Sequence, residues 1–83
     1  MTVEELKKQV IQIIKESTET EQKITEKTNL FVDLGLASVE VVVMIGELEE
    51  TFGIDIPASK LRKVRTVENL CNLIIEIIKS ETT

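Results

Sequence analysis

Apolar residues recur near the start of the chain at Val3, Leu6, Val10, Ile13 and Ile14, the three-and-four spacing that gathers side chains on one face of a helix. A helix from about Val3 to Glu16 is expected. Thr2 precedes it and Glu5 follows three residues later, a capping-box pattern in which side chains satisfy the first unpaired N–H groups. From Ser17 to Ala37 no period is sustained, although Ile24, Leu30, Phe31, Leu34 and Leu36 are scattered through the stretch. Loops beyond about 12 to 15 residues in compact domains are usually functional or disordered. The apolar anchors predict a loop pinned to the core.

Periodicity returns from about Ser38 to Phe52, where Val41, Ile45, Leu48 and Phe52 form a stripe supported by Val42 and Met44. Gly53 suits the left-handed residue that closes a helix. Val39 and Val43 fall on another face together with Gly46 and Glu50, which suits either a partner surface or fuller burial in a small bundle. Ile54-Asp55-Ile56-Pro57 reads as extended, because the residue before a proline is pushed out of the helical region. A short helical turn from about Ala58 to Lys63 follows. Thr66 then caps a last helix from about Val67 to Lys79, with Val67, Leu70, Cys71, Ile74, Ile77 and Ile78 apolar and Lys79 at the end that favours a cation. The expected fold is all-α, a four-helix bundle with three longer helices, a short third helix and a long first loop.

Composition agrees with that reading. At 83 residues the chain makes one domain, spanning 1–83, with one core. Hydrophobic residues at 42% and charged residues at 30% indicate a soluble globular domain without a membrane span. A monomer is expected. With two aromatic residues, both Phe, the core must be aliphatic. Met1-Thr2-Val3-Glu4-Glu5 shows neither a basic start nor an apolar signal core, so the cytoplasm is the expected location.

The net charge of −5 is concentrated in one place. Between Asp33 and Ile56 lie Asp33, Glu40, Glu47, Glu49, Glu50 and Asp55 with no Lys or Arg, whereas the rest of the chain has nine acids against ten bases. Such a segment repels nucleic-acid phosphates and steers basic protein surfaces toward itself. The basic cluster Lys60, Arg62, Lys63 and Arg65 has no interleaved aromatics, so pairing or solvation explains it better than nucleic-acid binding.

Candidate chemistry is sparse. The chain has no His and a single Cys, and Cys71 lies on an apolar helical face, as a core thiol does. Ser38 stands between a glycine-containing turn and an acidic, apolar helix. A serine there serves as a helix cap or as a handle for another enzyme. It is no nucleophile of the chain's own, since no base stands near it in sequence.

The run Phe31-Val32-Asp33-Leu34-Gly35-Leu36-Ala37-Ser38-Val39-Glu40, then Leu48-Glu49-Glu50-Thr51-Phe52-Gly53-Ile54-Asp55-Ile56-Pro57 and Arg65-Thr66-Val67, resembles the acyl carrier proteins in order and spacing. The resemblance implies 4′-phosphopantetheine joined to Ser38 through a phosphodiester, transferred from coenzyme A by a phosphopantetheinyl transferase. It implies a carrier rather than an enzyme, one that holds acyl groups as thioesters for fatty acid or polyketide and specialised lipid biosynthesis. The implied partners are that transferase and the acyl-transfer and chain-elongation enzymes with basic surfaces, met through Val39, Glu40, Val43, Glu47 and Glu50. Two positions depart from the family pattern: Ala37 stands where an acid is common, and Val43 where an acid is frequent. Peptide-synthesis carriers usually show a second glycine where Leu36 stands, which ranks that branch lower. From another class comes an unmodified helical interaction domain in which Ser38 merely caps the helix and the Val39 and Val43 face docks a partner.

Overall fold

The computed structural model describes residues 2–81, so Met1, Thr82 and Thr83 of the expected 1–83 domain lie outside the described residues. Four helices follow in order: α1 (Val3–Thr18), α2 (Ser38–Phe52), α3 (Ala58–Leu61) and α4 (Val67–Glu81). The expected all-α arrangement, with a short third helix and a long first connection, is what the chain forms. Helix α1 packs against both α2 and α4. None of the helices is long and apolar enough to cross a membrane among the described residues.

The stripes read from sequence form the core, with local corrections. Leu6, Val10 and Ile14 of α1 are buried, whereas Val3 sits at the solvent-facing edge of its stripe and is half exposed. In α2 the buried residues are Val41, Met44, Ile45 and Leu48. Val42 was expected to reinforce that face, but it is exposed: one residue on from Val41, it is turned by about 100° around the helix from that buried position and borders the groove at Ser38. Val67, Leu70, Cys71, Ile74 and Ile77 of α4 are buried as expected, joined by Leu73.

Helix ends are closed by local chemistry. The Thr2 hydroxyl accepts the Glu5 N–H at 3.1 Å, and Glu19, in the left-handed region at φ 51°, ends α1. Gly53 takes φ 65° beyond α2, the conformation that costs a residue without a Cβ least. At α4 the Thr66 hydroxyl accepts from Asn69 N–H at 3.1 Å while Asn69 Oδ1 accepts from Thr66 N–H at 3.2 Å. This reciprocal pair confirms Thr66 as the cap.

Helix α3 contributes no fully buried residue of its own. It is held by its flanks: Ile54 and Ile56 before it and Val64 after it are buried, and Glu49 Oε2 accepts the Ile56 N–H at 2.8 Å. The first loop is pinned in a different way. Ile24 and Leu30 enter the core, Phe31, Leu34 and Leu36 pack against it, and Asn29 and Thr66 form an isolated antiparallel bridge. Across that bridge Leu30 N–H donates to Arg65 O at 2.8 Å and Val67 N–H to Thr28 O at 3.0 Å.

Burial beneath α4 pushes the Cys71 thiol up from 9.0 to about 11, with Glu26 adding to the effect. Raising the folded-state value above the unfolded one means that folding favours the protonated thiol. That contribution is intact below about pH 9 and is lost as pH rises through about 11. The urea-unfolding free energy of the wild type should therefore fall by roughly 2 kcal/mol more than that of Cys71→Ala between about pH 8 and pH 10.5. Equal falls in the two proteins would clear the thiol of any part in it.

Candidate functional site

The chain approaches α2 through a turn organised by one side chain. Asn29 Oδ1 accepts the N–H groups of Phe31 at 2.9 Å and Val32 at 2.8 Å, while Asp33 Oδ2 accepts the Asn29 N–H at 2.7 Å. These Asx-type contacts satisfy backbone groups that no helix or sheet serves. Gly35 then turns the chain at φ 65°, and Leu36 N–H returns to Leu30 O at 3.1 Å. The entrance to α2 is thereby tied to the clasp between the loop and α4.

The residue in capping position is Ala37, with φ −81° and ψ 159°, not Ser38. Its methyl group can accept no hydrogen bond, so half of the usual cap is missing. The other half is present, since Glu40 Oε1 accepts the Ala37 N–H at 2.9 Å. Ser38 is the first residue inside the helix and is exposed. The alternative in which Ser38 merely caps the helix does not hold in this geometry: its hydroxyl has no hydrogen-bond partner within the described residues.

Two open grooves meet at Ser38. One, of about 500 Å³, runs between α2 and α3 and is walled by Val41, Val42, Leu61 and Phe31, with Arg62 and Arg65 along its edge. The other, of about 390 Å³, joins Ser38 to Asn29, Phe31, Val32 and Arg65. Neither is lined by an acid or a lysine, and the chain has no His. Among the described residues, these grooves thus place no general base beside the Ser38 hydroxyl. Among the described residues no group of three or more His, Cys, Asp and Glu could hold a metal ion.

The five residues expected to meet partners divide. Val39, Glu40, Val43 and Glu47 line one small cleft of about 180 Å³ beside the end of α1, whereas Glu50 is exposed further along α2. Two of the three acids are committed internally, Glu40 to the Ala37 N–H and Glu47 to the Ser17 hydroxyl at 2.7 Å. Among the described residues the Glu50 carboxylate has no partner. By contrast, Val39 and Val43 are 74% and 60% exposed on the side of that cleft, whereas Val32 and Val42, 81% and 61% exposed, border the grooves at Ser38. Sequence reasoning missed Val32, Val42, Phe31, Arg62 and Arg65 as neighbours of the serine. The signal for Val42 was its four-residue spacing from Ser38; for the others the tertiary clasp was needed.

The family model for the phosphopantetheine attachment site matches residues 8–74. The chain belongs to the acyl carrier protein family. It is 37% identical over 83 residues to an acyl carrier protein of Chloroherpeton thalassium, covering 92% of this chain and 96% of that one. It is 35% identical over 68 residues to one from Lactobacillus acidophilus, covering 81% and 85%. A chloroplastic acyl carrier protein of Brassica napus is 35% identical over 80 residues, which are 94% of this chain and 59% of that longer protein. A solved structure from Mycobacterium tuberculosis, itself assigned as an acyl carrier protein, superposes with a TM-score of 0.80 at 25% identity, covering 86% of this chain and 96% of that one.

Acyl carrier proteins bear covalently attached 4′-phosphopantetheine, and the residues present here fit that group. An exposed hydroxyl without an internal partner stands on the first turn of a 15-residue helix, beside grooves open to solvent and edged by two guanidinium groups. The departure at Ala37 costs the fold a cap and leaves the hydroxyl in place. Ala37→Asp should restore the missing acceptor for the Glu40 N–H and stabilise the protein by about 1 kcal/mol. Thermal unfolding followed by circular dichroism would then move up by about 4 to 8 °C; an unchanged or lower midpoint would mean the helix end is already satisfied.

Proposed function

We propose that Ser38 is the phosphopantetheine attachment site of this carrier and that the loaded chain shuttles acyl groups between enzymes of fatty acid, polyketide or specialised lipid biosynthesis. The observation that carries this reading is the unpartnered, exposed Ser38 hydroxyl at the open end of α2. When bound, the arm supplies a terminal thiol that holds an acyl group as a thioester. The chain's own part is to present, orient and release. The Asn29 turn and the Glu40 contact fix where Ser38 emerges, while the free N–H groups of the first turn of α2 favour a neighbouring anion. A carrier of this kind is a substrate of other enzymes rather than a catalyst, and its expected location is the cytoplasm.

Its partners are a phosphopantetheinyl transferase and acyl-transfer enzymes that approach along α2. The exposed valines supply apolar contact around the serine, and Glu50 supplies an unpaired charge at the edge. Small contacts with charged rims exchange quickly, which suits a chain that must leave each enzyme after every transfer. Where Glu40 and Glu47 are occupied within the chain, charge alone is a weaker guide, and a larger share of recognition falls on Val39 and Val43. The acid-rich segment from Asp33 to Ile56 also disfavours a nucleic-acid partner.

Incubation with coenzyme A and a broad-specificity phosphopantetheinyl transferase should raise the intact mass by one phosphopantetheine, and Ser38→Ala should abolish the gain. No gain in the wild type after prolonged incubation would instead favour an unmodified interaction domain. The same assay, followed in time, tests the docking face. Val39→Asp and Val43→Lys should each lower kcat/KM for modification by about tenfold, with the helical circular-dichroism signal unchanged. Rates equal to wild type would remove the valines from the transferase contact.

A further inference from the structure

An acid-rich chain ordinarily finds carboxylates for its arginines, but among the described residues no carboxylate pairs with Arg62 or Arg65. The ion pairs among the described residues join Lys7 to Glu26 at 2.6 Å and Lys60 to Glu76 at 3.7 Å. Arg65 is held by neutral groups instead: its Nη1 donates to the carbonyls of Arg62 and Val64, each at 2.9 Å, and its guanidinium lies 5.6 Å from the centre of the Phe31 ring. Such contacts orient the group without neutralising it. Its remaining N–H groups are open to a ligand. Arg65 also lines both grooves that Ser38 lines, and neither groove contains an acid.

We propose that Arg65, flanked by Arg62, is the counter-ion of the phosphodiester on Ser38 and directs the prosthetic arm into the groove between α2 and α3. This rests on Ser38 as the attachment site. A phosphodiester carries one negative charge at neutral pH, and a guanidinium fork matches its oxygens in a way that a lysine ammonium does not. The apolar walls at Val42, Leu61 and Phe31 strengthen the attraction by excluding water from one side. They also offer a surface to the arm beyond the phosphate. The arm is thereby biased toward one side of α2, and the opposite cleft lined by Val39, Val43 and Glu47 stays clear for an approaching enzyme. Arg65 is a positioning residue in this account.

The test uses full-length protein converted with coenzyme A and a transferase, with conversion established by intact mass. In wild type, the Arg65 Nε–Hε signal should shift between the unmodified and modified forms, and phosphorus relaxation should report a restrained phosphodiester. Arg65→Gln should lower the restrained fraction about threefold, the effect of one exposed ion pair. Arg65→Lys should recover part of it, and raising the salt to about 0.5 M should reduce it in wild type by screening. If Arg65→Gln does not fold, as judged from its amide spectrum, Arg62→Gln with the salt series decides, and a loss of restraint there is again the expected result. Full modification with an unmoved Arg65 signal and phosphorus relaxation indifferent to both substitution and salt would overturn the counter-ion alone. Failure of wild type to gain mass would overturn the attachment at Ser38 and the counter-ion with it.

Discussion

Where the first loop meets the start of α4, Leu30 N–H donates to Arg65 O and Val67 N–H to Thr28 O across the bridge between Asn29 and Thr66. Two backbone bonds are modest in isolation, contributing about 1 kcal/mol each, yet much of the site follows from where they fix the chain. They let Leu30 reach full burial and place Asn29 to organise the turn before Gly35. They bring Arg65 beside Phe31 and Ser38. Without this clasp, the 19 to 37 stretch would have only scattered apolar side chains to hold it, and the serine would have no defined surroundings.

The clasp also accounts for what the linear sequence could and could not reveal. Repeating apolar positions made the three longer helices legible, because a helix face is a property of spacing within one segment. The position of Ser38 at the start of a helix was legible for a similar reason: Gly35 and the onset of periodicity bracket it. Thr28 and Val64 gave no such signal, although both are buried. Thr28 pairs with Val67, thirty-nine residues on, and Val64 joins a core assembled from the longer helices and the first loop. Val42 was misassigned because a stripe read from hydrophobicity alone cannot tell which of two adjacent valines lies over the core and which borders the groove beside Ser38. The capping position that the alternative reading gave to Ser38 belongs to Ala37 by backbone geometry, even though its methyl group cannot cap.

Charge is redistributed in a similar way. The sequence presents α2 as an acidic face, and three glutamates look equivalent there. Folding separates their tasks: Glu40 closes the start of the helix and Glu47 meets Ser17, while Glu50 remains free. The exposed surface of α2 is consequently more apolar than the count of acids suggests, with Val32 and Val42 bordering the grooves at the serine and Val39 and Val43 exposed on the other side of the helix. The basic cluster divides as well. Lys60 pairs with Glu76, and the two arginines are left facing the grooves that reach Ser38. The proposed role of Ser38, to receive an anionic group supplied by another enzyme, is supported by a hydroxyl with no base in its grooves, bordered by apolar side chains and by two arginines.

That claim is tested most directly on protein purified from its natural host. Cleavage after Lys27 and Lys60 releases a peptide whose serines are Ser38 and Ser59, and fragmentation mass spectrometry locates any addition between them. The account predicts phosphopantetheine, free or acylated, on Ser38. A peptide that carries no modification in actively growing cells, or carries it at Ser59, would contradict it.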